Sequence, residues 1–349
     1  MDAEPPIFRT RTPPRNVWFA IAAVAILVEI GTLVALNVTV NPRSEFPTQR
    51  LEPLIGDPSV VKLNFYNAID PPPRTLVLGS SRVMNLPPPE IERYAPAPAF
   101  NFGVSASGLQ DARVIYEHAV RDGKTPEAVL VGVDVNSLGP DAQFGLATSP
   151  ALERMTGKAP PVSSYAAAAV GSLDALYVRD TFTVLWYNLA GYPPRAIWFE
   201  PDGLRHVSER EDFLASPDFT VEKAVARNGQ AVRDIVAKAD RLDPEELDHL
   251  RALVVAARAN GTRVTLFVTP FHPLMLERLS DTAFMTVRAE AVEALHGLCA
   301  PGVSVFDLTD IESFSGDYDD FYDAWHYGPE NARRILARVY AGDAGLCDG

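Results

Sequence analysis

Two short stretches hold the residue types that acyl chemistry needs. In "TLVLGSSRV" (75–83) an apolar run stops at Gly79, and Ser80, Ser81 and Arg82 follow. In "FYDAWHYGPENARRI" (321–335) Asp323 and His326 stand three apart, just before a helix. A serine hydroxyl is a poor nucleophile unless a base takes its proton. His326 would be that base, and Asp323 would fix its tautomer and stabilise the imidazolium. Each motif alone has a plainer meaning: a strand running into a turn, and a helix-capping Asp beside an exposed His. What raises them is their order and the elements that carry them.

Those elements alternate. Apolar runs at "TLVLG", "AVLVGVDV", "RVTLFVTP" and "VSVFDL" read as strands, the second and third of buried type, and "AFNFG" as a shorter one. Helical patterns fall between them. In "LQDARVIYEHAVRDG" Ala112, Ile115, Tyr116 and Ala119 share a face, and Gly123 follows the end. In "DPEELDHLRALVVAARANG" Asp243 is the expected N-cap, Pro244 the first helical position and Glu246 the partner in a capping box. Further helices fit "AFMTVRAEAVEALHGL" and "GPENARRILARVYAG". The alternation predicts an α/β fold: a parallel sheet with helices on both faces, three layers in all. Residues 140–235 break the pattern and read as a mostly helical insertion over the sheet edge or the site. Ligands of open parallel sheets sit at the carboxyl ends of the strands. "GSSR", "NFGVSASG" (101–108), "VDVNSL" (133–138) and "TPFHP" (269–273) all lie there.

This order of blocks resembles the SGNH, or GDSL-like, serine hydrolases, over residues 74–138 and 262–340. The resemblance implies a flavodoxin-like sheet and aligns Ser81, rather than Ser80, with the nucleophile. It places Ala106 where the family has a backbone oxyanion donor, with Gly103 and Gly108 nearby. Asn136 falls on the oxyanion asparagine, with Ser137 where the family has Asp. "DAWH" matches the final Asp-x-x-His block in full, giving a triad of Ser81, Asp323 and His326. The oxyanion hole would be the Ser81 and Ala106 N–H groups and the Asn136 amide, each such donor commonly lowering the barrier by about 3 kcal/mol. Gly79-Ser80-Ser81 in place of Gly-Asp-Ser is most similar to membrane-anchored members like DltD, which work beside membrane-bound O-acyltransferases. "GVSAS" (103–107) misses the G-x-S-x-G elbow, because Gly108 comes one position late. Arg82 is a candidate for binding an anionic substrate or pairing with an acidic neighbour. His272 is a candidate for lining the site or holding its loop. The histidines show no zinc-ligand spacing, and no cofactor is expected.

The rest of the chain bounds the setting. Its 349 residues carry a net charge of −14, which argues against a nucleic-acid partner. "VWFAIAAVAILVEIGTLVAL", Val17 to Leu36, has the length of a membrane span and one charge, Glu29. Glu29 either meets a partner or snorkels. The expected division is a cytoplasmic tail at 1–15, a retained signal anchor at 16–38, a linker at 39–73 that packs partly on the domain through "VVKLNFYNAI", and the catalytic domain at 74–345. Arg9, Arg11 and Arg15 before the span favour a cytoplasmic N-terminus in a bacterial inner membrane, with the domain periplasmic or extracellular. Cys299 and Cys347 either pair there or remain a buried and a loose thiol. The expectation is a membrane-anchored esterase or O-acyltransferase acting on acyl esters of an envelope glycan through a Ser81 acyl-enzyme. The alternative is an idle accessory subunit docked on a membrane-bound O-acyltransferase.

Overall fold

A computed structural model describes residues 15–348 apart from 48, 55, 141, 143, 159–160, 192–196, 208–211 and 213–215. The tail expected at 1–15 therefore lies almost wholly outside the described residues. Helix α1 (Arg15–Val40) is long and apolar enough to cross a membrane, and its side chains are exposed from Asn16 to Thr32. Glu29 lies on that exposed stretch.

Five strands form one parallel sheet: β1 (Thr75–Leu78), β2 (Ala99–Asn101), β3 (Ala128–Val133), β6 (Arg263–Val268) and β7 (Val303–Asp307). Their order is β2-β1-β3-β6-β7, with Leu78 opposite Val131 and Val133 opposite Val268. The chain first adds β2 on one side of β1 and then crosses to add β3, β6 and β7 on the other. The switch point is thus between β1 and β3, where parallel sheets open a crevice beyond their carboxyl ends. Every residue of β1, β2 and β3 is buried, as continuous apolar runs between two helical layers must be.

The flanking helices include α2 (Pro58–Ala68), α4 (Leu109–Arg121), α9 (Pro244–Ala259), α11 (Phe284–His296) and α12 (Pro329–Val339), with one-turn α3 (Pro88–Ile91) between β1 and β2. Helix α4 buries Ala112, Ile115, Tyr116 and Ala119 on one face, as the spacing predicts. In α9 Asp243 caps the Glu245 N–H at 2.9 Å with Pro244 at the first position. The capping box expected of Glu246 does not form. Glu246 turns instead toward the Leu109 amide at the start of α4, and its Oε2 is buried without a partner.

The linker expected at 39–73 packs on the domain through its apolar part, residues 60–69. Helix α2 is capped by Asp57 and sends Val60, Val61, Leu63, Phe65 and Tyr66 into the core. Buried Gln49 ties the end of α1 to this corner, donating to the carbonyls of Val40, Asn41 and Leu51. At the other end Cys299 and Cys347 form a disulfide, so the tail is stapled to the body, with Gly345 bridged to Val305 on the edge strand.

The insertion is mostly helical, as expected. It holds α5 (Pro150–Met155), α6 (Val162–Gly171), α7 (Ala175–Ala190), the hairpin β4 (Ile197–Phe199) and β5 (Arg205–Val207), and α8 (Val221–Val236). Buried Asp111 on α4 fastens its start, accepting the N–H groups of Gly108, Gly145 and Leu146 at 2.9 Å each. The turn of the β4–β5 hairpin covers the β2 edge, where Asp202 O accepts from Asn101 N at 2.9 Å. The short helix α10 (Pro273–Leu279) follows β6 and packs against α8.

Candidate active site

Strand β1 delivers the serines. Its end needs Gly79: φ is +136°, and a Cβ there would stand 2.7 Å from the Gly132 carbonyl of β3. The chain then turns sharply. The Ser80 hydroxyl accepts from the Arg82 N–H at 3.2 Å and is buried, so Ser80 shapes the turn. Ser81 is half-buried at the cleft, with Oγ 2.9 Å from Nε2 of His326.

The histidine comes from a loop that templates itself. Asp323 Oδ1 accepts the N–H groups of Trp325 at 3.1 Å and His326 at 2.9 Å, an Asx-type turn. Its Oδ2 lies 2.8 Å from His326 Nδ1. A proton on Nδ1 facing the carboxylate leaves the Nε2 lone pair toward Ser81. Two further contacts hold this loop in place. Asn85 Nδ2 donates to Tyr327 O at 3.0 Å, and the His272 N–H to Ala324 O at 3.1 Å.

The oxyanion candidates come from β2 and β3. Ala106 adopts φ +55°, a left-handed conformation that disfavours any Cβ. Lys62 on α2 clamps the approach to this loop: its buried Nζ donates to Asn101 O at 3.0 Å and Gly103 O at 2.9 Å. Burial holds that ammonium well below the ordinary lysine range. Among the described residues, the Ser81 and Ala106 N–H groups have no backbone acceptor. Asn136 stands in a 3₁₀ turn after β3, and its buried Oδ1 has no hydrogen-bond partner. Ser81, Ala106 and Asn136 line one cleft of about 440 Å³, a volume in the range of small-molecule sites.

Arg82 lies under this floor, 2% exposed. It donates to Pro270 O, sits 4.2 Å from the Phe271 ring centre and has Nη1 3.4 Å from Asp134 Oδ1. Of its two expected roles, the structure shows the pairing with an acidic neighbour. Thr269 donates to the same carboxylate at 2.6 Å, which anchors the turn that carries Asn136. Burial pulls the Arg82 guanidinium down from its ordinary value, and Asp134 opposes this.

Of the two roles open to His272, the structure shows the loop-holding one: it is fully buried, away from the cleft lining. Its Nδ1 caps the start of α10 by accepting from Leu274 N at 3.1 Å, and its Nε2 donates to Tyr318 O at 3.2 Å. Burial lowers its pKa, consistent with a neutral ring in that role.

Sequence reasoning missed the outer wall, where Ile235, Lys238 and Ala239 at the end of α8 line the cleft together with Trp325. It also missed Arg205 of β5, whose Nη2 approaches the Ser81 carbonyl at 3.4 Å. Only Trp325 carried a local signal, lying between Asp323 and His326. The insertion residues had none. No group of His, Cys, Asp and Glu that could hold a metal occurs among the described residues. No protein-family model matches the chain and no curated protein matches it, so the site stands on its own geometry.

Proposed function

We propose that the protein is a serine esterase or O-acyltransferase of the SGNH type, anchored by α1, with a Ser81 acyl-enzyme. The observation that carries this is the continuous Ser81–His326–Asp323 hydrogen-bond chain opening on a cleft that Ala106 and Asn136 also line.

The reaction follows from that geometry. Ser81 Oγ attacks the acyl carbonyl as His326 Nε2 takes its proton. The carbonyl oxygen becomes an oxyanion, bound by the Ser81 and Ala106 N–H groups and the Asn136 amide. Collapse breaks the ester C–O bond, His326 returns the proton to the departing alkoxide, and an alcohol leaves. The acyl group remains as a Ser81 ester. A second hydroxyl then attacks with His326 again as base; water completes hydrolysis and a sugar hydroxyl completes transfer.

The cleft mixes hydrogen-bonding groups of Ser80, Asn136, Ser137 and Lys238 with the apolar faces of Ile235 and Trp325, a lining that suits an acylated envelope polysaccharide as donor or acceptor. A disulfide between Cys299 and Cys347 favours a non-reducing compartment, and with the N-terminal arginines this supports a periplasmic or extracellular domain. The likeness to DltD-type proteins supports a membrane-bound O-acyltransferase as partner. An idle accessory subunit is the competing reading, and the close Ser81–His326 contact favours the enzyme.

Fluorophosphonate labelling of the full chain, read by peptide mass spectrometry, tests this. Label on Ser81 that is abolished by Ser81→Ala, retained in Ser80→Ala and strongly reduced in His326→Ala is the expected result. Label on Ser80, or none on protein shown to be folded, overturns it.

A further inference from the structure

The insertion carries an apolar surface that the catalytic reading does not use. Across Val162–Ala190, which form α6 and α7, the only charged residues are Asp174, Arg179 and Asp180. Helix α6 buries no residue at all. Helix α7 buries Tyr177, Asp180, Thr181 and Val184 on its inward side. Phe182, Trp186 and Leu189 recur at helical spacing on the outward side and are 56%, 62% and 83% exposed. Val162 and Val170 of α6 are 83% and 70% exposed. Exposed large apolar side chains concentrated on two helices in this way mark an interaction surface.

Its attachment identifies what covers it. Asn37, one residue past the apolar run of α1, is fully buried against the hairpin. Its Nδ2 donates to Ser172 O at 2.7 Å, between α6 and α7, and its Oδ1 accepts from Thr181 Oγ1 at 2.7 Å. Arg43 pairs with Asp180 at 2.8 Å and lies 4.9 Å from the Tyr177 ring centre. Leu33, Val34 and Leu36, still within the apolar run, are already partly covered. The hairpin therefore begins at the depth where the span leaves the hydrocarbon, about 30 Å from its start. Gln49 fixes the turn that follows α1, and Asn37 and Arg43 on either side of its start tie α6 and α7 to that level.

We propose that α6 and α7 seat in the lipid interface beside α1, on the leaflet facing the catalytic domain, with the Phe182–Trp186–Leu189 stripe in contact with lipid. Trp and Tyr side chains are enriched at that layer, where their amphipathic rings sit at headgroup level. The hairpin and α1 then form a two-point mount that fixes the height and tilt of the domain on the membrane. This rests on α1 spanning the bilayer, and the test separates the two.

Single cysteines are introduced into the full chain by Phe182→Cys, Trp186→Cys and Leu189→Cys, with Leu27→Cys in the span and Val255→Cys on exposed α9 as references. Each is spin-labelled under non-reducing conditions in phosphatidylethanolamine–phosphatidylglycerol nanodiscs, and collisions with oxygen and with a water-soluble nickel chelate are compared. The expected result is a reversal of the oxygen-to-nickel ratio: the three hairpin sites side with Leu27, and Val255 with water. Hairpin sites as nickel-accessible as Val255, with Leu27 protected, overturn the proposal and leave the span intact. Hairpin sites shielded from both reagents mean that protein, a second copy or a membrane subunit, covers the face, and this also overturns it. A nickel-accessible Leu27 removes the anchor itself. Photo-crosslinking of the unsubstituted protein to a diazirine lipid gives the same answer without mutation: adducts within 162–190 support the seat, and adducts confined to α1 overturn it.

Discussion

Ser81 and His326 are 245 positions apart in the chain, yet Oγ and Nε2 meet at 2.9 Å at the mouth of the cleft. Strand β1 holds one partner and the Asx-type turn of Asp323 holds the other. Hydrolysis of a p-nitrophenyl ester is therefore expected to fall at least about 10³-fold in Ser81→Ala and His326→Ala. Asp323→Asn should cost about 10⁴-fold in kcat with little change in KM, because it favours the wrong imidazole tautomer. The effects should not add in the double variants. Full activity in His326→Ala would sink the triad.

Asn136 has a buried amide oxygen without a partner and a place on the cleft wall. If its Nδ2 meets the oxyanion, the contact strengthens in the transition state. Asn136→Ala should then lower kcat about 10²–10³-fold with KM nearly constant. A change confined to KM would assign the residue to substrate binding instead.

Ala106, a proposed oxyanion donor, adopts a left-handed conformation at φ +55°. Glycine accepts that conformation without a Cβ penalty, so Ala106→Gly should stabilise the fold by about 1 kcal/mol. A β-branched residue is expected to destabilise it. Chemical denaturation of both variants checks the sign.

Glu246 is pushed up to about 7 by burial, with Asp243 and Asp111 adding to the shift. A folded-state value above the ordinary one means that protonation favours the folded state. Glu246 thus costs nothing below about pH 4.5, and its cost grows as pH rises to 7. Glu246→Gln removes that cost. With its partial exposure discounted, the variant should be more stable by about 1–2 kcal/mol at pH 8 and equal near pH 4. Parallel denaturation curves at the two pH values, showing the same difference at both, would refute this assignment.

Much of the fold was legible in the residues. The apolar runs of β1, β3, β6 and β7, the Asp243-Pro244 start of α9 and the single apolar span are written locally, in period and punctuation. Strand-end positions follow from the strands, so the residues alone assign Ser81 and Asn136 to the same end of the sheet. Asp323 and His326 carry their own turn. Other fates depended on residues far along the chain. The Glu246 capping box failed because the Leu109 amide of α4 lies across from it. His272 became a buried cap because Tyr318 and Phe321 close over its ring. For Arg82 the residues alone left two roles open, an anionic substrate or an acidic neighbour, and only the enclosure by Phe271, Asp134 and Pro270 shows the pairing. Secondary structure and strand-end positions were therefore determined by the sequence alone, since they rest on neighbours within a turn or a strand. Burial, charge pairing and the walls of the cleft were decided only by tertiary structure, because desolvation and hydrogen-bond partnership depend on which distant surfaces meet.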